Sequence, residues 1–216
     1  MLPRMTWLDA LTEMDHSILL AVRDLPSWSV SLFYVITVIG GGWGMIALVP
    51  FLVAKASRRT TLLLLAAILV TSGLGNALKA LVGRIRPCDA LAWCAPLRGV
   101  SPGGWSFPSG HAAGSFAFAA FIALRAPRYA PLALAYAVLV ASSRFVLGVH
   151  YPTDVFAGAL LGSLVGAAFA ALGSARGGDS AAAADTASAR EPAPTGGGER
   201  VDGSMPVEMR SRTSAR

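Results

Sequence analysis

Residues 61–82 read TLLLLAAILVTSGLGNALKALV, an apolar run broken only near its far end by Asn76 and Lys79. A helix needs roughly 20 apolar residues to cross a bilayer, so this stretch is expected to span. Working outward, residues 28–54 carry no charge and form an expected span before it, with Gly40, Gly41 and Gly42 placed to loosen its middle. Lys55, Arg58 and Arg59 separate the two. After residue 82 comes a polar stretch from Gly83 to Ser106, rich in Pro and Gly. Three further apolar runs follow at 109–124 (somewhat short), 131–148 and 154–173, with Arg125 and Arg128 between the first two. The expected fold is all-α, a polytopic transmembrane bundle of about five spans.

The flanks differ. Residues 8–24 mix Leu8, Leu11, Met14, Ile18 and Leu19 with Asp9, Glu13, Asp15, His16 and Arg23. That is helical amphipathicity with too many charges for a span, and it reads as a helix lying at the membrane surface. From Ser174 to Arg216 the chain is Ala, Gly, Ser and Pro with charges of both signs, expected to be disordered. The expected organisation is thus an interfacial segment at 1–27, a membrane domain at 28–173 and a disordered cytoplasmic tail at 174–216.

Composition agrees with a membrane protein. The 216 residues suit one domain, 54% are hydrophobic and 14% charged, against about a quarter charged in soluble domains. The net charge of +6 does not point to nucleic acid, because the basic residues sit in short groups beside apolar runs rather than in one patch. No secretory signal peptide is expected, since Asp9, Glu13 and Asp15 precede any long apolar run. Lys55, Arg58, Arg59, Arg125 and Arg128 fall on one side, which the positive-inside rule makes cytoplasmic. The loop 83–106 and the turn 149–153 then face outward.

Arg84, Arg86 and Arg98 lie on that outer side against the rule, and Lys79 and Arg144 sit inside apolar runs near the same surface. An intramembrane Lys or Arg usually faces a cavity or a partner. Something anionic on the outer side would explain all five.

Three segments converge there. The first is KALVGRIRP, Lys79 to Pro87. Lys79 and Arg86 are seven positions apart, so two helical turns would put them on one face, and Pro87 is expected to end the span at Arg86. Ordinary snorkelling at a helix end would also account for these cations. The second is Pro108, Ser109, Gly110 and His111, opening a span. Free N–H groups at a helix N-terminus suit a phosphate, although a plain Pro-Ser helix start would read the same way. The third is SRFVLGVHYPTD, Ser143 to Asp154. A carboxylate four residues after His150 can hold one imidazole N–H and leave the other nitrogen free to attack; it can equally just tighten a turn. Taken together, three cations, two histidines, a carboxylate and a helix N-terminus on one side of the bilayer form the set that phosphoryl transfer through histidine needs.

In this combination the chain resembles the type 2 phosphatidic acid phosphatase (PAP2) superfamily: Lys79, six residues, Arg86-Pro87; then Pro108 to His111; then Ser143-Arg144, five residues, His150, three residues, Asp154. The resemblance extends in architecture over about residues 28–173 and includes small bacterial undecaprenyl-diphosphate and phosphatidylglycerophosphate phosphatases. It implies a core shared with vanadium haloperoxidases. It implies His150 as nucleophile forming a phosphohistidine, Asp154 orienting it, and His111 as general acid. Lys79, Arg86 and Arg144 would bind phosphate with Ser109 and the Gly110 amide. No metal or other cofactor is implied, and no protein partner can be inferred.

The expected function is a membrane lipid phosphatase of the bacterial cell membrane, its site facing outward. Undecaprenyl diphosphate stands first as substrate, with phosphatidylglycerophosphate, phosphatidate or lipid A phosphate as alternatives. A haloperoxidase is disfavoured by the spans, and a lipid-binding protein without activity by the His150–Asp154 pair. Cys88 and Cys94, the only cysteines, both lie in the outward loop; whether they form a disulfide stays open.

Overall fold

Helices carry the described structure. The computed structural model describes residues 7–41, 55–94 and 103–188. Among them the elements are α1 (Trp7–Arg23), α2 (Ser27–Gly40), α3 (Lys55–Val82), the short α4 (Pro87–Ala90), α5 (Gly110–Arg125), a 3-10 turn (Pro127–Tyr129), α6 (Ala130–Val146) and α7 (Pro152–Ser188). No strand occurs among the described residues. The chain divides into a unit 1–179 and a unit 180–216, and in the second only the end of α7, 180–188, is described.

Among the described residues, three helical stretches are long and apolar enough to cross a membrane, Ser57–Ala90, Pro127–Val146 and Pro152–Gly173, and a fourth counts if the bent pair Ala10–Arg23 and Ser27–Gly40 is one span. This is fewer than the five expected, for two reasons. At 16 residues α5 is about 24 Å long, short of a hydrocarbon core of about 30 Å. The span expected over 28–54 is described only to Gly41; residues 42–54 lie outside the described residues.

Packing follows side-chain size. α5 sits against α6 and α3, and α6 also meets α2 and α1. Ala119, Ala133 and Ala137 bring α5 and α6 together, with Phe116, Phe118 and Ile122 filling the rim. Leu64, Phe121 and Ala170 join α3, α5 and α7. The closest approach is made by glycine. Gly158, Gly162 and Gly166 are buried and lie four apart on α7. A Cβ at any of them would collide with the carbonyl oxygen of Ser109, Ala113 or Ala117 on α5. Small residues at this spacing let two helix backbones touch, the main way membrane helices gain packing energy. Gly40 serves α2 likewise, where a Cβ would strike Val140, and the Tyr136 hydroxyl donates to the Gly40 carbonyl at 3.3 Å.

Several expectations need correction. α3 ends at Val82, four residues before Arg86. Gly83 takes φ +62, and its N–H bonds the Lys79 carbonyl at 3.0 Å: a left-handed glycine stops the helix before Pro87 can. Pro87 instead starts α4 at its first turn. Lys79 and Arg86 therefore do not share a helical face by two-turn spacing. α1 buries Asp15 and Leu19, while its other described side chains are half-buried or exposed. The backbone of α7 stays helical to Ser188, past the expected boundary at 173, because its run of alanines is strongly helix-forming. The remainder of the tail expected to be disordered, 189–216, lies outside the described residues.

Candidate active site

The site is built where the loop after α3, the start of α5 and the turn between α6 and α7 meet. That turn is fixed from below: the backbone N–H groups of Val149 and His150 both donate to the Arg144 carbonyl at 3.2 Å. Gly148 supplies the reversal with φ +70, a conformation that costs glycine little. Its carbonyl accepts from Cys88 at 2.6 Å, and Cys88 and Cys94 are free thiols 3.1 Å apart.

Each motif is tied to the next. The Ser109 N–H donates to the Asp154 carbonyl at 2.9 Å, joining the second motif to the third. Arg86 joins the first to the third: its Nη1 donates to the Val149 carbonyl at 2.8 Å and faces His150 Nε2 at 3.2 Å. Its Nε bridges the Gly103 and Gly104 carbonyls, both at 3.1 Å. Lys79 Nζ donates to the carbonyls of Trp105 and Ser106 at 2.7 and 3.4 Å. Lys79 is thus brought to the loop entering the second motif by its own reach. Arg144 donates through Nη1 to the Thr37 hydroxyl of α2. His111, in the first turn of α5, lies against Gly41, where a Cβ would sit 3.2 Å from its Nε2. Gly110 is the first residue of α5 and is exposed.

All eight residues expected from the sequence are therefore on elements that meet here. His111, His150, Lys79, Arg86 and Arg144 are close enough to feel one another's charge. Around His150, burial and the cations Arg86 and Arg144 outweigh the facing Asp154 carboxylate, and its imidazole pKa falls from 6.5 to about 4. The ring is therefore neutral at neutral pH, the form a nucleophile requires.

Among the described residues, three buried side-chain atoms have no hydrogen-bond partner: Ser109 Oγ, Arg144 Nε and His150 Nδ1. Buried polar atoms are nearly always paired. Ser109 is the N-cap of α5 yet makes no side-chain cap bond. Ser109 Oγ and Arg144 Nε are donors for which an anion would supply the acceptor. His150 Nδ1 faces Asp154 Oδ2 at 3.6 Å, somewhat beyond hydrogen-bond length.

Asp154 is otherwise fully engaged. Its Oδ1 accepts from Arg84 at 2.6 Å and its Oδ2 from the Tyr151 N–H at 2.9 Å. Arg84 also grips Asp15 of α1 at 2.7 Å. The anion expected to explain Arg84 is thus a pair of the protein's own carboxylates. Asp15 carries no local sequence signal, since it sits in a mixed amphipathic stretch 69 residues from its partner. Thr37 and the carbonyls of Gly103 and Gly104 were equally beyond sequence reading, as each acts through tertiary contact.

The sequence pattern of the PAP2 superfamily matches residues 60–177, more than half the chain. The chain belongs to the PAP2 superfamily. It is 41% identical over 99 residues to a lipid A 1-phosphatase of Rhizobium johnstonii, covering 44% of this chain and 40% of that protein. It is 37% identical over 135 residues to a decaprenylphosphoryl-5-phosphoribose phosphatase of Mycobacterium tuberculosis, covering 62% and 73%. Among solved structures it is similar to the PAP2-type phosphatidylglycerolphosphate phosphatase of Bacillus subtilis, with TM-score 0.65, 27% identity, and 77% and 87% of the two chains covered. The chain spans less than half the length of the first of these relatives, and among the described residues it is built as the all-α transmembrane bundle of the PAP2 superfamily.

Proposed function

We propose that the site hydrolyses a lipid phosphate or diphosphate at the outer face of a bacterial cell membrane through a phosphohistidine on His150. The observation that carries this reading is the pair of buried, unpartnered donors, Ser109 Oγ and Arg144 Nε, beside an Arg86–His150 contact. A phosphoryl group placed there would take hydrogen bonds from both, from Arg86 and Lys79, and from the Gly110 N–H at the start of α5.

His150 Nε2 attacks phosphorus, forming the N–P bond as the bond to the leaving oxygen breaks. His111, which takes up a proton as the anionic substrate offsets the surrounding cations, gives that oxygen its proton. The imidazole then carries positive charge, supported by Asp154. Water attacks the phosphohistidine, with His111 taking a proton, and releases phosphate and neutral His150. No step calls for a metal, so activity is expected to persist in excess EDTA.

The outward placement rests on the loop charges, Lys55, Arg58, Arg59, Arg125 and Arg128 marking the cytoplasmic side. For substrate, a polyprenyl-linked phosphate stands first, and among these undecaprenyl diphosphate, for which another relative, 34% identical over 115 residues, is named. The relative that this chain covers over 73% of its length is named for a decaprenylphosphoryl compound. A lipid A phosphate is the second reading, favoured by the 41% identity to a lipid A 1-phosphatase. Purified protein should be assayed on undecaprenyl diphosphate, phosphatidylglycerophosphate, phosphatidate and lipid A phosphate, with His150→Ala as the blank. Release from undecaprenyl diphosphate at the highest kcat/KM is expected, and preference for any other lipid would reassign the substrate.

A further inference from the structure

We infer that Arg84 and Asp15 are positioning residues, and that α1 sets the catalytic carboxylate through an Asp15–Arg84–Asp154 relay. The inference rests on the reading of His150 as nucleophile. The carboxylate is fully buried and faces His150 from only one side. Its other oxygen is fixed by the Arg84 Nη1 at 2.6 Å, and the same guanidinium spans to Asp15 through Nη2 at 2.7 Å. A planar fork between two carboxylates fixes orientation as well as charge.

The relay is doubled at Thr153, one residue before Asp154. Its N–H donates to Asp15 Oδ1 at 2.9 Å and its hydroxyl to Asp15 Oδ2 at 2.5 Å. Arg84 Nη1 also reaches the Thr153 hydroxyl at 2.7 Å. Beneath them the guanidinium lies 3.8 Å from the Tyr151 ring centroid, and His16 of α1 approaches that ring at 6.3 Å. Asp15 is itself only 1% exposed. A buried carboxylate carries a large desolvation cost unless paired, so its place here needs the pair with Arg84.

Charge explains why two acids are needed. Arg84 alone would neutralise Asp154 and remove the field that favours a positive imidazole. With Asp15 present, Asp15, Arg84 and Asp154 sum to one negative charge. That charge is matched when His150 becomes the phosphorylated cation. The relay therefore acts in the phosphorylation step rather than in substrate binding, and neither residue touches the phosphate.

The test is a double-mutant cycle on the full chain, using nitrophenyl phosphate and undecaprenyl diphosphate as phosphoryl donors. Asp15→Asn is expected to slow phosphoenzyme formation about tenfold, the scale of one charge-assisted hydrogen bond, with KM changed less than about twofold. Placed in an Asp154→Asn background, the same substitution is expected to cost less than about twofold, since the two act as one unit. An equal loss in both backgrounds, or a loss confined to KM, would overturn the relay. If Asp15→Asn is recovered unfolded, Arg84→Lys carries the same cycle, because an ammonium keeps the charge but lacks the planar two-nitrogen fork that sets the two carboxylates relative to one another. Phosphoenzyme in a His150→Ala protein would overturn the nucleophile reading and this inference with it; a failed cycle overturns only the relay.

Discussion

The guanidinium of Arg86 lies 3.2 Å from Nε2 of His150. Arginine can only donate, so Nε2 must be the accepting nitrogen and the proton of the neutral ring sits on Nδ1, toward Asp154. This is the tautomer that the proposed attack by His150 requires. In that proposal the same contact occupies the attacking lone pair, so an incoming phosphate would draw the Arg86 N–H onto its own oxygen before the N–P bond forms.

Arg86 also bears on the titration of His150. Burial and the two arginines hold the imidazole pKa at about 4. The folded value lies below the unfolded one of about 6.5, so neutral His150 contributes stability that is fully present above pH 6.5 and lost as pH falls towards 4. In Arg86→Gln the pKa is expected to rise toward 6.5. Histidine NMR titration of both proteins checks this, and an unchanged value would mean that the contact does not shape the ring.

Ser109 and Arg144 are expected to bind phosphate. Ser109→Ala removes a donor with no partner among the described residues, so stability should change little, by less than about 1 kcal/mol. Phosphate or vanadate inhibition should weaken about tenfold, the scale of one hydrogen bond to a charged group. Thermal unfolding and inhibitor titration on the same preparation separate the two effects.

His111 is expected to matter most when the leaving oxygen needs a proton. His111→Ala should lose about 10²- to 10⁴-fold on a lipid alkoxide and much less on nitrophenyl phosphate, whose anion leaves readily. Steady-state kinetics on both substrates decide it, and equal losses would remove His111 from the acid role.

The α5–α7 contact is expected to tolerate no side chain. Gly162→Val would set a branched side chain against the Ala113 carbonyl, forcing the helices apart at a cost of about 2 kcal/mol or more. Gly114→Ala, where a Cβ meets nothing within 4 Å, should be neutral or stabilising by about 0.5 kcal/mol. Melting temperatures of the two variants in one detergent test the contrast.

Hydropathy and spacing are local signals, so the apolar runs and the eight motif residues are legible in the chain alone. What folding brings together is not. Arg84 stood out as a cation on the wrong side, yet its anions, Asp15 and Asp154, lie 69 and 70 residues away. Gly83 ends α3 before Pro87, so the proline marked a helix start rather than a helix end. Gly158, Gly162 and Gly166 act through the approach of α5, a tertiary contact that no spacing within α7 discloses. The Cys88–Cys94 proximity depends on the loop closing over Gly148, which spacing does not encode.

The central claim is that phosphate passes through His150, and rapid-quench trapping tests it most directly. Wild-type protein mixed with labelled nitrophenyl phosphate should yield an acid-labile, base-stable phosphoprotein within a turnover. His150→Ala should yield none with any substrate, whereas Asp154→Asn should yield a smaller amount more slowly. Label retained on the His150→Ala protein would contradict the account.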